Sequence, residues 1–202
     1  MTGNLNFAAL ALFAFVSSIT PGPNNLLLMR AGARFGFRPI APHVLGIGTG
    51  MAGLVLLSWI GVGALLLTVP AAFALLRWAC FAYLLWLAWR VLRDPGDDAA
   101  HDGQEKPMNF ASAAAFQLVN PKAWMMAVTG VTAFSNTGEV GVGAMGVVVA
   151  TFLVIGWPCF CVWALWGAAF HRLLRRPAAR RVFNVAMAVV VAVTAFSMLI
   201  TP

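Results

Sequence analysis

Two prolines and two asparagines stand inside an apolar run at Thr20-Pro21-Gly22-Pro23-Asn24-Asn25, and a helix cannot pass through them unbroken. Proline has no amide hydrogen for the carbonyl four residues back, so Pro21 and Pro23 remove the donors due to Ser17 and Ile19. A second break, Asn120-Pro121-Lys122, lies at the same depth of another apolar run, where Pro121 frees the Gln117 carbonyl. Each half of the chain therefore carries one broken apolar segment. We read the two as facing halves of one site.

The medium follows from composition. Of 202 residues, 61% are hydrophobic and 9% charged, against about a quarter charged in soluble domains, and the mean hydropathy is +0.87. Six apolar segments are each long enough, at 1.5 Å per residue, to cross a hydrocarbon core of about 30 Å. They run from about Leu5 to Met29, His43 to Thr68, Ala71 to Leu92, Asn109 to Ala133, Val140 to Ala169 (interrupted by Pro158) and Val182 to Ile200. The expected fold is an all-α polytopic membrane protein, one transporter domain over 1–202. Repeat one covers about 5–92, a polar linker 93–108, and repeat two about 109–200. Met1 to Phe7 carries no Lys or Arg and no cleavage site follows, so the first apolar segment reads as a span rather than a removed leader.

A net charge of +7 would suggest nucleic acid in a soluble protein. Here the basic residues gather at segment ends, and no nucleic-acid partner is expected. The loops after spans one, three and five hold Arg30, Arg34, Arg38, Arg90, Arg93, Lys106 and the cluster Arg172, Arg175, Arg176, Arg180 and Arg181, while the opposite loops hold almost none. The positive-inside rule places those loops in the cytoplasm and both termini outside. Three spans per half is an odd number, so a repeat of one half in the other has inverted topology, the architecture that puts a transporter site at the midplane between broken helices. Gly46 and Gly50 in the second span have the G-x-x-x-G spacing of close helix packing in lipid. Such glycine stripes suit packing within one chain or between two, which leaves a homodimer open. Cys80, Cys159 and Cys161 lie in apolar segments without metal-ligand or disulfide spacing, and no metal or cofactor is expected.

Irregular backbone inside a membrane is tolerated only where it is buried in protein or lines a wet cavity. After each break the restarting half-helix offers amide N–H groups, around Gly22, Asn24 and Asn25 and from Lys122 to Trp124, and such ends attract anions. Lys122 lies about 13 residues, roughly 20 Å, into its span, where a lysine costs about 2.5 to 3.5 kcal/mol. Two readings stay open: a lysine that caps freed carbonyls and holds the breaks together, or one that meets a ligand or couples transport. Thr20, Asn24, Asn25, Gln117 and Asn120 divide in the same way between satisfying a broken helix and binding a substrate. No Asp or Glu lies within any span. A zwitterionic amino acid could set its carboxylate on the half-helix ends and Lys122 and its ammonium on freed carbonyls and asparagine oxygens. A second positive charge on the substrate would find no counter-ion, which disfavours lysine- or arginine-like cargo.

These two motifs resemble the signature of the lysine exporter (LysE/RhtB) superfamily of amino-acid exporters. Gly36-Phe37-Arg38, the glycine-rich second span and Tyr83-Leu84-Leu85-Trp86-Leu87-Ala88-Trp89 fit it as well. Lys106-Pro107, Phe116-Gln117-Leu118-Val119-Asn120 and Val128-Thr129-Gly130-Val131-Thr132-Ala133 are similar to the cysteine/O-acetylserine exporter branch. The resemblance implies a bacterial inner-membrane exporter of amino acids or close derivatives, driven by the proton gradient. Many relatives carry an Asp where Met51 stands, so an acidic coupling residue is missing there. Lys122, His43 and Tyr83 are the remaining coupling candidates.

The expectation is thus a secondary exporter of small neutral amino acids or derivatives, cysteine/O-acetylserine-like or homoserine/threonine-like, with substrate-binding residues Thr20, Pro21, Gly22, Pro23, Asn24, Asn25, Gln117, Asn120, Pro121 and Lys122. The alternative is a channel-like or structural membrane protein without active transport. An intramembrane enzyme would need a buried acid pair, a Ser-His arrangement or a metal cluster, and none is visible in the sequence.

Overall fold

A computed structural model describes residues 7–61, 68–93, 106–134, 142–170 and 176–200. Among them the secondary structure is helical throughout. Helices α1 (Phe7–Ile19) and α2 (Pro23–Phe35) are followed by a short 3-10 turn (Arg38–Ile40), α3 (Ala41–Trp59) and α4 (Pro70–Leu92); then come α5 (Phe110–Val119), α6 (Pro121–Phe134), α7 (Val142–Phe170) and α8 (Pro177–Ile200). Four helical stretches are long and apolar enough to cross a membrane: Arg38–Trp59, Pro70–Leu92, Val142–Phe170 and Pro177–Phe196. The pair α1 and α2, bent by 53° at its break, makes a fifth. Helix α5 is a shorter apolar segment.

Both breaks fall where the prolines place them. At the first, Gly22 is extended (φ −175°, ψ 174°) and Pro23 opens α2 at its first turn, where a missing amide hydrogen costs nothing. At the second, Asn120 is extended (φ −93°, ψ 105°) and Pro121 opens α6. The third proline behaves differently. Pro158 was expected to interrupt its span, yet α7 runs through it without a break. A lone proline removes a single hydrogen bond, which packed membrane helices tolerate. Asn120 before Pro121 can cap a new helix with its side chain, and Trp157 before Pro158 cannot.

Other boundaries moved. Arg30 and Arg34, expected in a loop, lie in the last turns of α2, which continues to a C-terminal Gly36 at φ 77°; these turns hold because Leu26, Leu27, Leu28, Gly32 and Ala33 are buried while the two arginines are only partly so. Arg180 and Arg181 belong to α8 rather than to the turn before it. Most of the linker (94–105), the ends 1–6 and 201–202, and Arg172 and Arg175 lie outside the described residues.

The packing follows a simple exchange. Helix α7 packs on both halves of the first broken segment, α1 and α2; α3 packs on both halves of the second, α5 and α6; α3 and α7 touch each other, and α4 pairs with α8. Glycine permits the closest approaches. A side-chain carbon on Gly46 would meet the Phe110 carbonyl, and one on Gly50 would come within 2.7 Å of the Ala114 carbonyl, both on α5. The expected close packing of that glycine pair is therefore real, and it lies within one chain. Large apolar side chains face outward, with Leu75 72% exposed and Val154 70%, as lipid-facing positions require. Two buried apolar clusters fill the interior, one around Leu28, Ile47, Leu84 and Phe160, the other around Leu10, Met51, Trp124 and Phe152. The breaks lie where these clusters meet.

Candidate functional site

Each freed carbonyl has found a donor. Thr20 Oγ1 donates to the Ser17 carbonyl at 3.2 Å, Trp163 Nε1 on α7 to the Ile19 carbonyl at 3.0 Å, and the Asn120 amide to the Gln117 carbonyl at 3.1 Å. Asn25 reaches back across the first break, its Nδ2 donating to the carbonyls of Ser18 and Thr20, each at 2.8 Å. Trp124 Nε1 does the same at the second, donating to the Leu118 carbonyl at 2.9 Å. Unsatisfied backbone in a membrane costs several kcal/mol per group, so these donors are what make the breaks affordable.

The two breaks are also joined to each other. Lys122 Nζ donates to the Thr20 carbonyl (2.9 Å), the Thr20 hydroxyl (2.9 Å) and the Pro21 carbonyl (3.1 Å), which uses all three ammonium hydrogens. Asn24 and Gln117 form a reciprocal amide pair: Asn24 Nδ2 donates to Gln117 Oε1 at 2.7 Å, and Gln117 Nε2 to Asn24 Oδ1 at 3.1 Å and to the Ala113 carbonyl at 3.0 Å. Gly22 is the counterpart of the lysine stem. A side-chain carbon there would lie 2.8 Å from Lys122 Cδ and 3.0 Å from Nζ.

Between the breaks lies a cavity of about 20 Å³, lined from the first by Gly22, Asn24 and Asn25 and from the second by Gln117, Asn120 and Lys122. That is room for about one water, far less than an amino acid needs. Its wall holds two buried oxygens without a partner, Ser18 Oγ and Asn25 Oδ1. The half-helix ends differ. The Lys122 amide donates to Asn120 Oδ1 at 3.1 Å, so it is capped and not open to an anion as the sequence suggested. Helix α2 begins at Gly22 with no side-chain cap, and it keeps the anion-attracting character of a helix start.

The family model of LysE type translocators matches residues 15–201. The chain belongs to that family. Cysteine/O-acetylserine efflux proteins of Escherichia coli (strain K12) and Shigella sonnei (strain Ss046) are each 34% identical to it over 172 residues, covering 81% of this chain and 83% of theirs. No solved structure matches. As a LysE type translocator the protein is a multi-pass membrane transporter, and its family is not one of enzymes.

Within this translocator, Thr20, Gly22, Asn24, Asn25, Gln117, Asn120 and Lys122 converge as the sequence suggested, with Pro21 contributing its carbonyl and Pro23 and Pro121 the helix starts. His43 and Tyr83 do not join them; both line a second cavity. Ser18, Met126 and Phe160 line the small cavity and Trp163 caps the first break, and sequence reasoning had singled out none of them. Ser17-Ser18 just ahead of the prolines was a usable signal, whereas Phe160 and Trp163 look like any aromatic of an apolar span. Met51 also lines the cavity, so the position where many relatives were expected to carry an Asp faces the site.

Proposed function

We propose that this chain is a secondary exporter of small neutral amino acids or derivatives, cysteine- and O-acetylserine-like or homoserine- and threonine-like, in the bacterial inner membrane with both termini outside. The observation that carries the reading is the cavity between the two breaks, with one ammonium, two unpartnered buried oxygens and an uncapped helix start around it. The efflux proteins to which the chain is similar supply the substrate class.

In this reading the substrate carboxylate meets the start of α2 and Lys122, while its ammonium takes Asn25 Oδ1, Ser18 Oγ and the Thr20 and Pro21 carbonyls. Lys122 now occupies those two carbonyls, so the lysine is a tethered stand-in for the substrate's own ammonium. Binding exchanges one for the other. A one-water cavity cannot hold an amino acid, so the broken segments separate to admit it, and alternating access is that separation occurring first toward one side and then the other. Transport is driven by the proton gradient, with Lys122 the coupling group nearest the substrate.

The packing exchange supports two inverted three-span repeats, with α5 and α6 together as the sixth span. Swapping α1 and α2 for α5 and α6, α3 for α7, and α4 for α8 carries the main helix contacts onto themselves, as inverted repeats demand.

The test is efflux from proteoliposomes loaded with labelled cysteine, O-acetylserine, serine, threonine or homoserine under several imposed pH gradients. Saturable, gradient-dependent efflux of at least one is expected. Absence of protein-dependent efflux for all five would end the substrate claim, and leakage indifferent to the gradient would mark a channel.

A further inference from the structure

The wall of the cavity between the breaks divides by chemistry. Among its polar side chains only Ser18 Oγ and Asn25 Oδ1 are buried without a partner. Ser17 also lines it, but its hydroxyl hydrogen goes to the Phe13 carbonyl. The rest of the wall, Pro23, Met51, Ala123, Met126 and Phe160, carries no side-chain hydrogen-bonding group stronger than a thioether sulfur. Met51 is 4% exposed, Phe160 5% and Met126 9%, so a polar group set against this part would find neither a protein partner nor bulk water.

Three helices deliver the apolar part. Met126 lies on α6 one turn, about 6 Å, beyond Lys122, and positions four apart share a helix face. Met51 comes from α3, where Gly50 beside it lets the second break approach: a side-chain carbon on Gly50 would lie 2.6 Å from Gln117 Cγ. Met51 and Met126 belong to one buried cluster and Phe160 of α7 to the other. A side-chain carbon on Gly156 would lie 3.4 Å from the Phe160 ring and 3.6 Å from Ser18 Oγ, so the apolar wall and an unpartnered oxygen border the same space.

We propose that Met51, Met126 and Phe160 form the subsite for the substrate's side chain, and that they favour a thiol or an acyl ester over a free hydroxyl and exclude a charge. This rests on the reading that an amino acid binds between the breaks, and it narrows that reading: cysteine- and O-acetylserine-like side chains fit, whereas serine- and homoserine-like ones leave a hydroxyl hydrogen unpaired, which a buried apolar wall penalises. Methionine is unbranched and polarizable, fills irregular gaps and suits surfaces that take more than one partner. One subsite can therefore take a thiol and a longer acetyl group.

The experiment measures the ligand-induced shift in the unfolding midpoint of the full chain in nanodiscs, with cysteine, O-acetylserine, serine, homoserine, methionine and lysine as probes, since stabilisation follows the ratio of ligand concentration to Kd. Cysteine and O-acetylserine should bind about tenfold tighter than serine and homoserine, and lysine should give no shift. Met51→Ala and Met126→Ala should each raise methionine against cysteine about tenfold, because a methylene of pocket space is worth about 10- to 200-fold, while Met51→Leu keeps the wild-type order. A packing role alone would weaken every probe equally; an unaltered order in the alanine variants, even with efflux intact, overturns the subsite. Serine matching cysteine, lysine binding, or no probe binding in the wild type overturns it without any variant. The expected order without efflux would instead count against the exporter reading and leave the subsite standing.

Discussion

The Lys122 ammonium lies 2.9 Å from both the carbonyl and the hydroxyl oxygen of Thr20, so the one lysine of the membrane interior is held by the opposite break. This choice of partner gives Lys122 a structural role, since it closes the backbone of the first break; in the proposed exporter it also holds the place of the substrate ammonium.

Replacing Lys122 by Ala removes the donor to the Thr20 and Pro21 carbonyls. Loss of efflux is expected, together with a modest destabilisation of about 1 kcal/mol, the net worth of a hydrogen bond, because Thr20 and Pro21 are exposed and the Thr20 carbonyl keeps Asn25 as a donor. Denaturant titration in detergent reads the second effect and proteoliposome efflux the first. Full efflux in the variant would exclude Lys122 from transport.

Gly22→Ala tests the same contact from the other side. Gly22 has an extended backbone that any residue adopts, so strain is not the issue; the added carbon would press on Lys122 Cδ and Nζ. Efflux should fall about tenfold, equivalent to ~1.4 kcal/mol, with the protein still folded by size-exclusion profile. Unchanged transport would show that the lysine moves aside freely.

Asn24 and Gln117 should behave as a coupled pair. Asn24→Leu or Gln117→Leu alone leaves an amide facing an apolar group and should cost about 1 to 3 kcal/mol, while the double substitution should cost less than the two singles summed. A double-mutant cycle by chemical unfolding measures the coupling, and strict additivity would mean that the pair carries no interaction energy.

Gly32 and Gly167 mark the crossing of α2 and α7, where a side-chain carbon on either would run into the other helix's backbone, at Ala164 and Met29 respectively. Gly32→Ala should destabilise by about 1 to 3 kcal/mol, the usual cost of overpacking. Gly143→Ala, with open space around it, is the control and should leave the unfolding midpoint where it was.

What the sequence revealed, it revealed through conflict. Pro21, Pro23 and Pro121 oppose the apolar pattern around them, and that opposition locates both breaks. Gly46 and Gly50 likewise announced a close helix contact. What stayed hidden depends on tertiary geometry. Nothing in the apolar run around Trp163 says that its indole N–H will meet the Ile19 carbonyl, since many tryptophans of a span only face lipid. Nor does hydropathy report that α2 continues through Arg30 and Arg34: the polar residues lower the average while the buried face of the same turns holds the helix. Pro158 shows the converse error, in which a real helix-breaking residue is overridden by the packing of its neighbours.

The cap that Trp163 places on the Ile19 carbonyl joins residues 144 positions apart. During synthesis at about 5 to 20 residues per second, the first break therefore waits roughly 7 to 30 s in the bilayer before its donor has been made, and Lys122 arrives only part-way through that interval. The nascent first half is left with an Ile19 carbonyl whose donor is still to come. A substitution that removes a late-arriving donor would make that interval permanent.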